Sequence, residues 1–205
     1  MKNPWEEIDL HIYEKHMSLN NVFQLQALNE MTKAQLYTYP IKTAMILGIA
    51  GGNGLEHVDS KLFDKVYGVD INASYLAECQ KRYPNLQSTF EPIYADLMDD
   101  KCELPHADLL IANLLIEYIG YECFQRNVQK VNPQYISCII QVNTDDSFVS
   151  DSPYLHAFDG LDTVHHQMEE KELMAAMAQI GYTMKMIEER ELPNGKRLVR
   201  IDFVR

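Results

Sequence analysis

The segment from Met45 to Glu56 constrains the fold of this chain more than any other stretch. It starts with an apolar run, Met45–Ile49, that is short enough for a strand buried on both faces, as in a parallel sheet. Gly51, Gly52 and Gly54 follow, and they let the backbone turn sharply and approach a ligand without an intervening Cβ. A helix is predicted to begin near Gly54, with its free N–H groups and positive dipole end facing an anionic group.

Two acidic residues follow short apolar segments further along the chain. Asp70 ends the predicted strand Val66–Asp70, and Asp96 follows the predicted strand Phe90–Ala95. A carboxylate at the tip of the strand beside a glycine turn can accept both hydroxyls of a ribose. The three strand ends therefore predict one nucleoside-sized site, while each aspartate taken alone is also compatible with a helix cap.

Together these segments resemble the class I S-adenosylmethionine-dependent methyltransferases, from about Ala44 to the C-terminus. The resemblance implies an α/β fold with a Rossmann-like, mostly parallel seven-stranded sheet, helices on both faces and an antiparallel C-terminal strand. It also implies that Ala50–Gly54 hold the methionine part of S-adenosylmethionine, that Asp70 binds the ribose and that Asp96 meets the adenine. The residues implied to bind the cofactor are Gly48, Ala50, Gly51, Gly52, Asn53, Gly54, Asp70, Ile71, Asp96, Leu97 and Asn113.

Two positions of the glycine turn depart from the family pattern. Gly48 stands where the family usually has an acidic residue, and Ala50 stands where it usually has its first glycine. Alanine tolerates only part of the backbone space that glycine allows, and the missing acid removes one possible contact to the ammonium group of the cofactor. The fold is therefore a firmer expectation than tight cofactor binding.

Length, composition and charge limit the kind of protein further. A chain of 205 residues with 46% hydrophobic residues is expected to form a single domain, residues 1–205. Its formal charge of −12 argues against binding of nucleic-acid phosphates and favours a small-molecule substrate. Without a signal peptide or an apolar run near the roughly 20 residues that span a bilayer, the protein is expected to be cytoplasmic and away from membranes. The oligomeric state stays open.

The N-terminal residues 1–43 precede the first strand and are expected to form a helical cap. Their first part, Trp5–Met17, is rich in aromatic and imidazole groups. In the resembled family such a segment commonly closes over cofactor and substrate, so Tyr13 and His16 are candidates for lining the reaction chamber. His16 could accept a proton near neutral pH. The alternative is a surface histidine and a tyrosine that anchors a helix to the core.

The predicted fourth strand, Ala107–Asn113, leads into a turn that borders the substrate in the resembled family. Glu117 in this turn could hold a cationic substrate or accept a proton, or it could be an exposed or capping acid. The turn lacks the Asp/Asn-Pro-Pro-aromatic signature, which disfavours amino groups of bases or of glutamine as acceptors.

The run from 143 to 166 shows no clear period and is long for a connection, so it is predicted to be a lid insertion. It contains His156, His165 and His166, but adjacent histidines without a partnered carboxylate pattern do not indicate a metal site. No cysteine has metal-ligand spacing either, so no metal is expected.

The C-terminal segments Thr183–Glu191 and Arg197–Val204 flank the turn sequence Pro193–Lys196, which predicts an antiparallel hairpin. The resembled methyltransferases end in the same way. A nicotinamide-dependent oxidoreductase would share the glycine turn and Asp70, but it gives no reason for Asp96 or for this hairpin.

The function that the sequence predicts is an S-adenosylmethionine-dependent methyltransferase acting on a small-molecule acceptor, with Tyr13, His16 and Glu117 as candidate catalytic residues. Methyl transfer from a sulfonium is a single displacement, so alignment, which lowers barriers by up to about 7–11 kcal/mol, is the larger contribution. General base catalysis adds about 10²–10⁴-fold. The alternative is a non-catalytic protein that keeps the methyltransferase fold and senses the cofactor or no longer binds it.

Overall fold

A seven-stranded sheet forms the centre of the computed structural model, which describes residues 3–143 and 148–205. In chain order its strands are β1 (Thr43–Leu47), β2 (Lys65–Asp70), β3 (Phe90–Tyr94), β4 (Leu109–Asn113), β5 (Tyr135–Val142), β6 (Thr183–Glu191) and β7 (Arg197–Val204). Their spatial order is β3-β2-β1-β4-β5-β7-β6, and β7 alone runs antiparallel to its neighbours β5 and β6. The predicted fold class and the C-terminal hairpin are confirmed.

In the described part of the chain, five α-helices accompany the sheet: α1 (Leu10–Ser18), α2 (Gln24–Thr38), α3 (Ala73–Arg82), α4 (Ile116–Val131) and α5 (Glu170–Gln179). Successive β1 residues point to opposite faces: Met45 and Leu47 pack with α4 and α5, whereas Ala44 and Ile46 pack with α2 and α3. Both faces of the central strands are therefore buried, which accounts for their uninterrupted apolar sequences. No helix among the described residues has both the length and the apolar character needed to cross a membrane.

The prediction that a helix begins near Gly54 is wrong. A single 3₁₀ turn, Leu55–His57, follows the glycine turn, and the chain then continues to β2. The space beside the turn is taken by α2, because a Cβ on Gly54 would lie only 2.6 Å from Cγ2 of Thr32. No helix dipole is therefore available at this turn to bind an anion.

The turn after β4 also differs from its prediction. α4 begins at Ile116, within the segment predicted to be a turn, and Gly120 interrupts it with φ 73° and ψ 164°. The first turn of α4 is therefore set apart from the rest of the helix, and it carries Glu117. Leu114, directly after β4, has φ 52° and reverses the chain toward this turn.

Residues 144–147 of the predicted lid segment lie outside the described residues. Further along that segment, a 3₁₀ helix, Leu155–Thr163, buries Phe158 and Leu161 against Ile8 and the ring of Trp5. The segment therefore packs on the N-terminal part of the chain, which itself consists of a 3₁₀ turn, Pro4–Glu6, followed by α1 and α2.

Candidate functional site

A cavity of about 700 Å³, called here the main cavity, lies at the carboxyl ends of β1, β2 and β4. Its position matches the binding edge of parallel α/β sheets. The structure brings together here seven of the residues predicted to bind the cofactor: Gly48, Ala50, Asp70, Ile71, Asp96, Leu97 and Asn113.

Asp70 is the last residue of β2 and joins two loops at the mouth of the main cavity. Its Oδ2 accepts a hydrogen bond from the backbone N–H of Ala50 at 2.9 Å, and its Oδ1 accepts one from the backbone N–H of Asn72 at 2.9 Å. Burial raises the pKa of the Asp70 carboxyl above its ordinary value. Each carboxylate oxygen can accept two hydrogen bonds, so even with a further hydrogen bond from the backbone of Ile71 the carboxylate retains acceptor capacity for a ligand hydroxyl.

Asp96 and Leu97 border the same cavity from the loop after β3. Asp96 is exposed, and its Oδ1 accepts a hydrogen bond from the backbone N–H of Met98 at 2.9 Å. Leu97 is buried and, with Ile71 from the loop after β2, gives this part of the cavity an apolar wall. An apolar wall next to a polar loop is suited to a planar heterocycle.

The glycine turn after β1 faces the main cavity with only part of its length. Gly48 and Ala50 have positive φ, 66° and 48°, and line it. Gly52 and Gly54 do not line the main cavity. A Cβ on Gly52 would lie 3.0 Å from the side chains of Leu55 and Tyr83, and Gly54 faces α2. These two predicted cofactor contacts are thus placed against protein side chains.

Gly51 and Asn53 line a second cavity of about 510 Å³, the loop cavity, which shares Tyr13, Gly48, Ala50 and Asn113 with the main cavity. The side chain of Asn53 is held by α2, since its Nδ2 donates to the carbonyl of Leu25 at 2.8 Å and its Oδ1 accepts from Asn29 at 2.8 Å. Asn53 therefore fixes the loop to α2 while it borders the cavity.

The amide of Asn113 is likewise held by α2. It forms a reciprocal pair with the amide of Gln35, with both hydrogen bonds at 2.9 Å, and its Nδ2 also donates to Thr32 Oγ1 at 3.2 Å. These α2 residues were not predicted to be part of the site. The available signal was that Thr32 and Gln35 are polar and lie three residues apart on one face of α2. This spacing did not indicate a partner at the end of β4.

The N-terminal segment closes the site from above through several hydrogen bonds. Asn72 Nδ2 donates to the carbonyl of Trp5 at 3.0 Å, and the hydroxyl of Tyr75 donates to the carbonyl of Ile8 at 2.8 Å. Arg82 of α3 pairs with Glu14 of α1, with an Nη2 to Oε2 distance of 2.9 Å. α1 is therefore tied to the elements that carry the glycine turn and Asp70.

A third cavity of about 450 Å³, the inner cavity, lies beneath α1 and next to the main cavity. The two share Trp5, Tyr13, Leu114 and Tyr118 as a common wall. Tyr13 and Tyr118 stand close to Trp5, with ring centroids 5.7 and 4.9 Å from the Trp5 ring in edge-on arrangements. The predicted catalytic residues Tyr13, His16 and Glu117 all line this inner cavity.

Glu117 is buried in the wall of the inner cavity with 4% of its surface exposed. Among the described residues its Oε2 has no hydrogen-bond partner. Burial raises the pKa of the Glu117 carboxyl to about 8, although the backbone of Glu117 and Gln141 partly stabilises the charged form. The alternative of an exposed acid at this position is thus wrong.

His16 is also buried, and its Nδ1 lies 2.8 Å from the hydroxyl of Ser152. Its ring centroid is 4.7 Å from that of Phe158. Burial, followed by the positive charge of Lys196, lowers the pKa of His16 to about 4. The imidazole is therefore neutral at physiological pH and a weaker base there than the sequence suggests.

Tyr13 lines all three cavities. Burial raises the pKa of its hydroxyl, and the carboxylates of Asp70, Glu14 and Glu117 raise it further. The hydroxyl is thus a hydrogen-bond donor at any ordinary pH.

Among the described residues, no group of three or more side chains is placed to ligate a metal ion. His156 is exposed beside Asp159, and His165 stacks on the ring of Phe148 at 3.7 Å. Phe148 and Phe158 line the inner cavity and were not predicted to do so. Both lie in the segment without a clear period, where spacing carries no information about contacts.

No protein-family model matches the chain, and no curated protein sequence matches it significantly. Solved structures do match. Magnesium protoporphyrin IX methyltransferase from Synechocystis, solved with bound S-adenosylmethionine, aligns with a TM-score of 0.61 and 12% identity over 93% of this chain and 82% of that chain. Geranyl diphosphate C-methyltransferase from Streptomyces coelicolor, solved with Mg²⁺, geranyl diphosphate and S-adenosylhomocysteine, aligns with a TM-score of 0.65 and 12% identity over 88% and 77%.

A third structure, the [4+2]-cyclase SpnF, aligns with a TM-score of 0.65 and 8% identity over 87% of this chain and 80% of that chain. The similarities therefore extend over nearly the whole chain at very low identity, and they agree with the strand order and with the site at the carboxyl edge of the sheet. The chain has the fold of the class I S-adenosylmethionine-dependent methyltransferases.

Proposed function

We propose that the protein is an S-adenosylmethionine-dependent methyltransferase that acts on a small-molecule acceptor, with the cofactor in the main cavity and the acceptor in the inner cavity. The observation that carries the proposal is that Gly48, Ala50, Asp70 and Asp96, from three separate loops, border one cavity at the carboxyl edge of the sheet. Two of the structures with the same fold were solved with this cofactor or its demethylated product.

The residues present fit such a cofactor. Asp70 keeps acceptor capacity for the ribose hydroxyls, and Ile71 and Leu97 offer apolar surface to the adenine, with Asp96 beside it. The loop cavity next to Gly48 would receive the methionine part. Carboxylates near Tyr13 give this region the negative potential that suits a cationic sulfonium.

When bound, S-adenosylmethionine supplies an electrophilic methyl group on its sulfonium. The contribution of the chain is then to hold both reactants in line and to keep water out. Trp5, Tyr13 and Tyr118, which form the wall between the main and inner cavities, are placed to position the acceptor. Orientation of this kind can supply about 7–11 kcal/mol, so no single side chain need dominate catalysis.

The assignment of Asp70 is tested by titration calorimetry with S-adenosylhomocysteine. Hydrogen bonds to a charged group contribute about 1.5–3 kcal/mol each, so loss of two in Asp70→Ala should weaken binding by about 100-fold or more. Asp70→Asn keeps the shape of the side chain, and its affinity for S-adenosylhomocysteine should fall between those of the wild type and Asp70→Ala. Asp64→Ala is the control, because Asp64 is exposed at the opposite end of β2. Wild-type affinity in Asp70→Ala would refute the ribose assignment.

A non-catalytic, cofactor-binding protein is the second candidate. It is favoured by the departures at Gly48 and Ala50, where Ala50 takes a left-handed conformation, and by the occurrence of a cyclase with this fold. Incubation of cell metabolites with the protein and S-adenosylmethionine carrying an isotopically labelled methyl group separates the two. A labelled product supports the methyltransferase, whereas tight binding of the cofactor with no labelled product supports the second candidate.

A further inference from the structure

We infer that the inner cavity binds a small organic amine in its protonated form, and that this amine is the methyl acceptor. The second half of this inference rests on the proposed function, because it requires a methyl donor in the adjoining main cavity. The first half concerns the inner cavity alone and can be tested without the donor.

The carboxylate of Glu117 is the first observation. It lines the inner cavity, it is 96% buried, and its Oε2 has no hydrogen-bond partner among the described residues. A buried polar atom without a partner costs free energy, and a buried charge costs more, unless a ligand supplies the missing donor. An ammonium group supplies both a donor and the opposite charge.

The walls of the cavity are the second observation. Five of its lining residues are aromatic: Trp5, Tyr13, Tyr118, Phe148 and Phe158. Aromatic rings attract cations through their quadrupoles, most strongly where water is excluded, and enclosures of aromatic rings bind ammonium groups. A carboxylate surrounded by aromatic rings selects for a cation with an apolar body and against an anionic acceptor.

The other charged and titratable groups near Glu117 leave this selection in place. His16 and Tyr13 on α1 and Tyr118 on α4 are neutral at physiological pH. Lys196 is buried and does not line the cavity. Its Nζ donates to the carbonyl oxygen of Phe148 at 2.8 Å, and its charge acts on His16, which burial and this charge keep neutral. His165, stacked on Phe148, has a pKa lowered to about 4 and is neutral as well.

The chemistry of the transfer follows from the same arrangement. The bound ammonium gives one proton to the Glu117 carboxylate, which frees the lone pair of the amine nitrogen. That lone pair forms the new N–C bond to the methyl carbon while the S–C bond breaks, and its electron pair stays on sulfur. The products are the N-methylated ammonium, the neutral thioether and a protonated Glu117, which returns its proton to solvent.

The experiment compares ligands that differ only in their polar group. Benzylamine, benzyl alcohol and benzoate are titrated calorimetrically into the full-length protein at pH 7, alongside butylamine, butanol and butyrate. Each titration is run with and without saturating S-adenosylhomocysteine. We expect each amine to bind at least tenfold more tightly than its alcohol and carboxylate counterparts. Equal binding within a set, or no amine binding by folded protein, overturns the inference.

The role of Glu117 is tested with Glu117→Gln, which keeps the size of the side chain and removes its charge. Amine affinity should fall about 30-fold or more, since one partner of a buried charged pair is lost. Glu122→Gln is the matched control, because Glu122 is exposed on the same helix and outside the inner cavity. Equal losses in both variants, or no loss in Glu117→Gln, contradict the assignment.

Proton release gives a readout that a merely structural role would not change. With a pKa of about 8, Glu117 is mostly protonated at pH 7, so ionic pairing with an ammonium should release close to one proton. Titrations in buffers of different ionisation enthalpy measure this number. Glu117→Gln should release none, and absence of release from the wild type excludes the ion pair.

Failure of the inference and failure of the proposed function are distinguishable. If S-adenosylhomocysteine does not bind, the proposed function fails whatever the amines do. If it binds and the amines do not, the inference alone fails. Mass spectrometry of bound amines incubated with labelled S-adenosylmethionine then decides whether the amine is the acceptor, since an unmethylated amine limits the inference to binding and overturns its second half.

Discussion

Ala50 has a backbone conformation that is poorly suited to its side chain. Its φ of 48° lies in the left-handed region, where an alanine Cβ crowds the neighbouring carbonyl oxygen. The conformation persists because the N–H of Ala50 donates to Asp70 and its carbonyl accepts from the thiol of Cys79 at 3.1 Å. Strain at the turn is therefore maintained by the same carboxylate that we propose binds the ribose.

Replacing Ala50 by glycine should raise the free energy of unfolding by about 0.5–1 kcal/mol. The left-handed conformation costs alanine about 1–2 kcal/mol, and the greater flexibility of an unfolded glycine returns about 0.5–1 kcal/mol of that. Urea unfolding measures the change. Ala77→Gly, on the exposed face of α3, should instead lower stability by about 1 kcal/mol, and equal losses for both variants would contradict a left-handed Ala50.

Helix α1 connects the site to the rest of the molecule at the scale of elements. Its residues line all three cavities, yet it is held to α3 mainly by the pairing of Glu14 with Arg82, whose side chains are 20% and 34% exposed. A partly exposed ion pair contributes little stability, so α1 is expected to open more readily than the sheet.

Replacing Arg82 by methionine, which keeps an apolar stem, should increase the opening of α1. Loss of the ion pair should lower the free energy of opening of α1 by about 0.5–1 kcal/mol. Amide hydrogen exchange in residues 10–18 should then be two- to fivefold faster, with exchange in the central strands unchanged. Lys81→Met is the control, because Lys81 is 79% exposed and pairs only with Glu78 among the described residues. Identical exchange rates in both variants would exclude the Arg82–Glu14 pair as the interaction that holds α1 in place.

At the scale of the whole molecule, the sheet was predictable because strands buried on both faces leave uninterrupted apolar runs, and because parallel strands deliver Asp70 and Asp96 to one edge. The missing helix after Gly54 was not, since α2 decides that packing from an earlier part of the chain. The burial of Glu117 depends on α1 and on Phe148 and Phe158, which are distant in sequence and follow no local period.

The pH dependence of stability should reflect this buried acid. Between about pH 4.5 and 8 the folded protein retains a proton on Glu117 that the unfolded chain has lost, so stability falls as the pH rises. Asp70, whose pKa is also raised, acts in the same direction, while His16 and His165, with pKa values lowered to about 4, add stability up to about pH 6.5.

Stability of the ligand-free protein should therefore peak near pH 6.5 and fall by about 1–2 kcal/mol toward pH 8. Urea unfolding at half-unit pH steps tests this. In Glu117→Gln the decline above pH 6.5 should disappear, and in Glu122→Gln it should remain. A decline of the same size in both variants would mean that another group is responsible.

One helix, α1, contributes to the walls of all three cavities. If the protein is the methyltransferase that we propose, one excursion of α1 would expose the places of spent cofactor and methylated product together. The rate of repeated turnover would then follow the mobility of this helix. A variant that binds both compounds more tightly would therefore turn over more slowly.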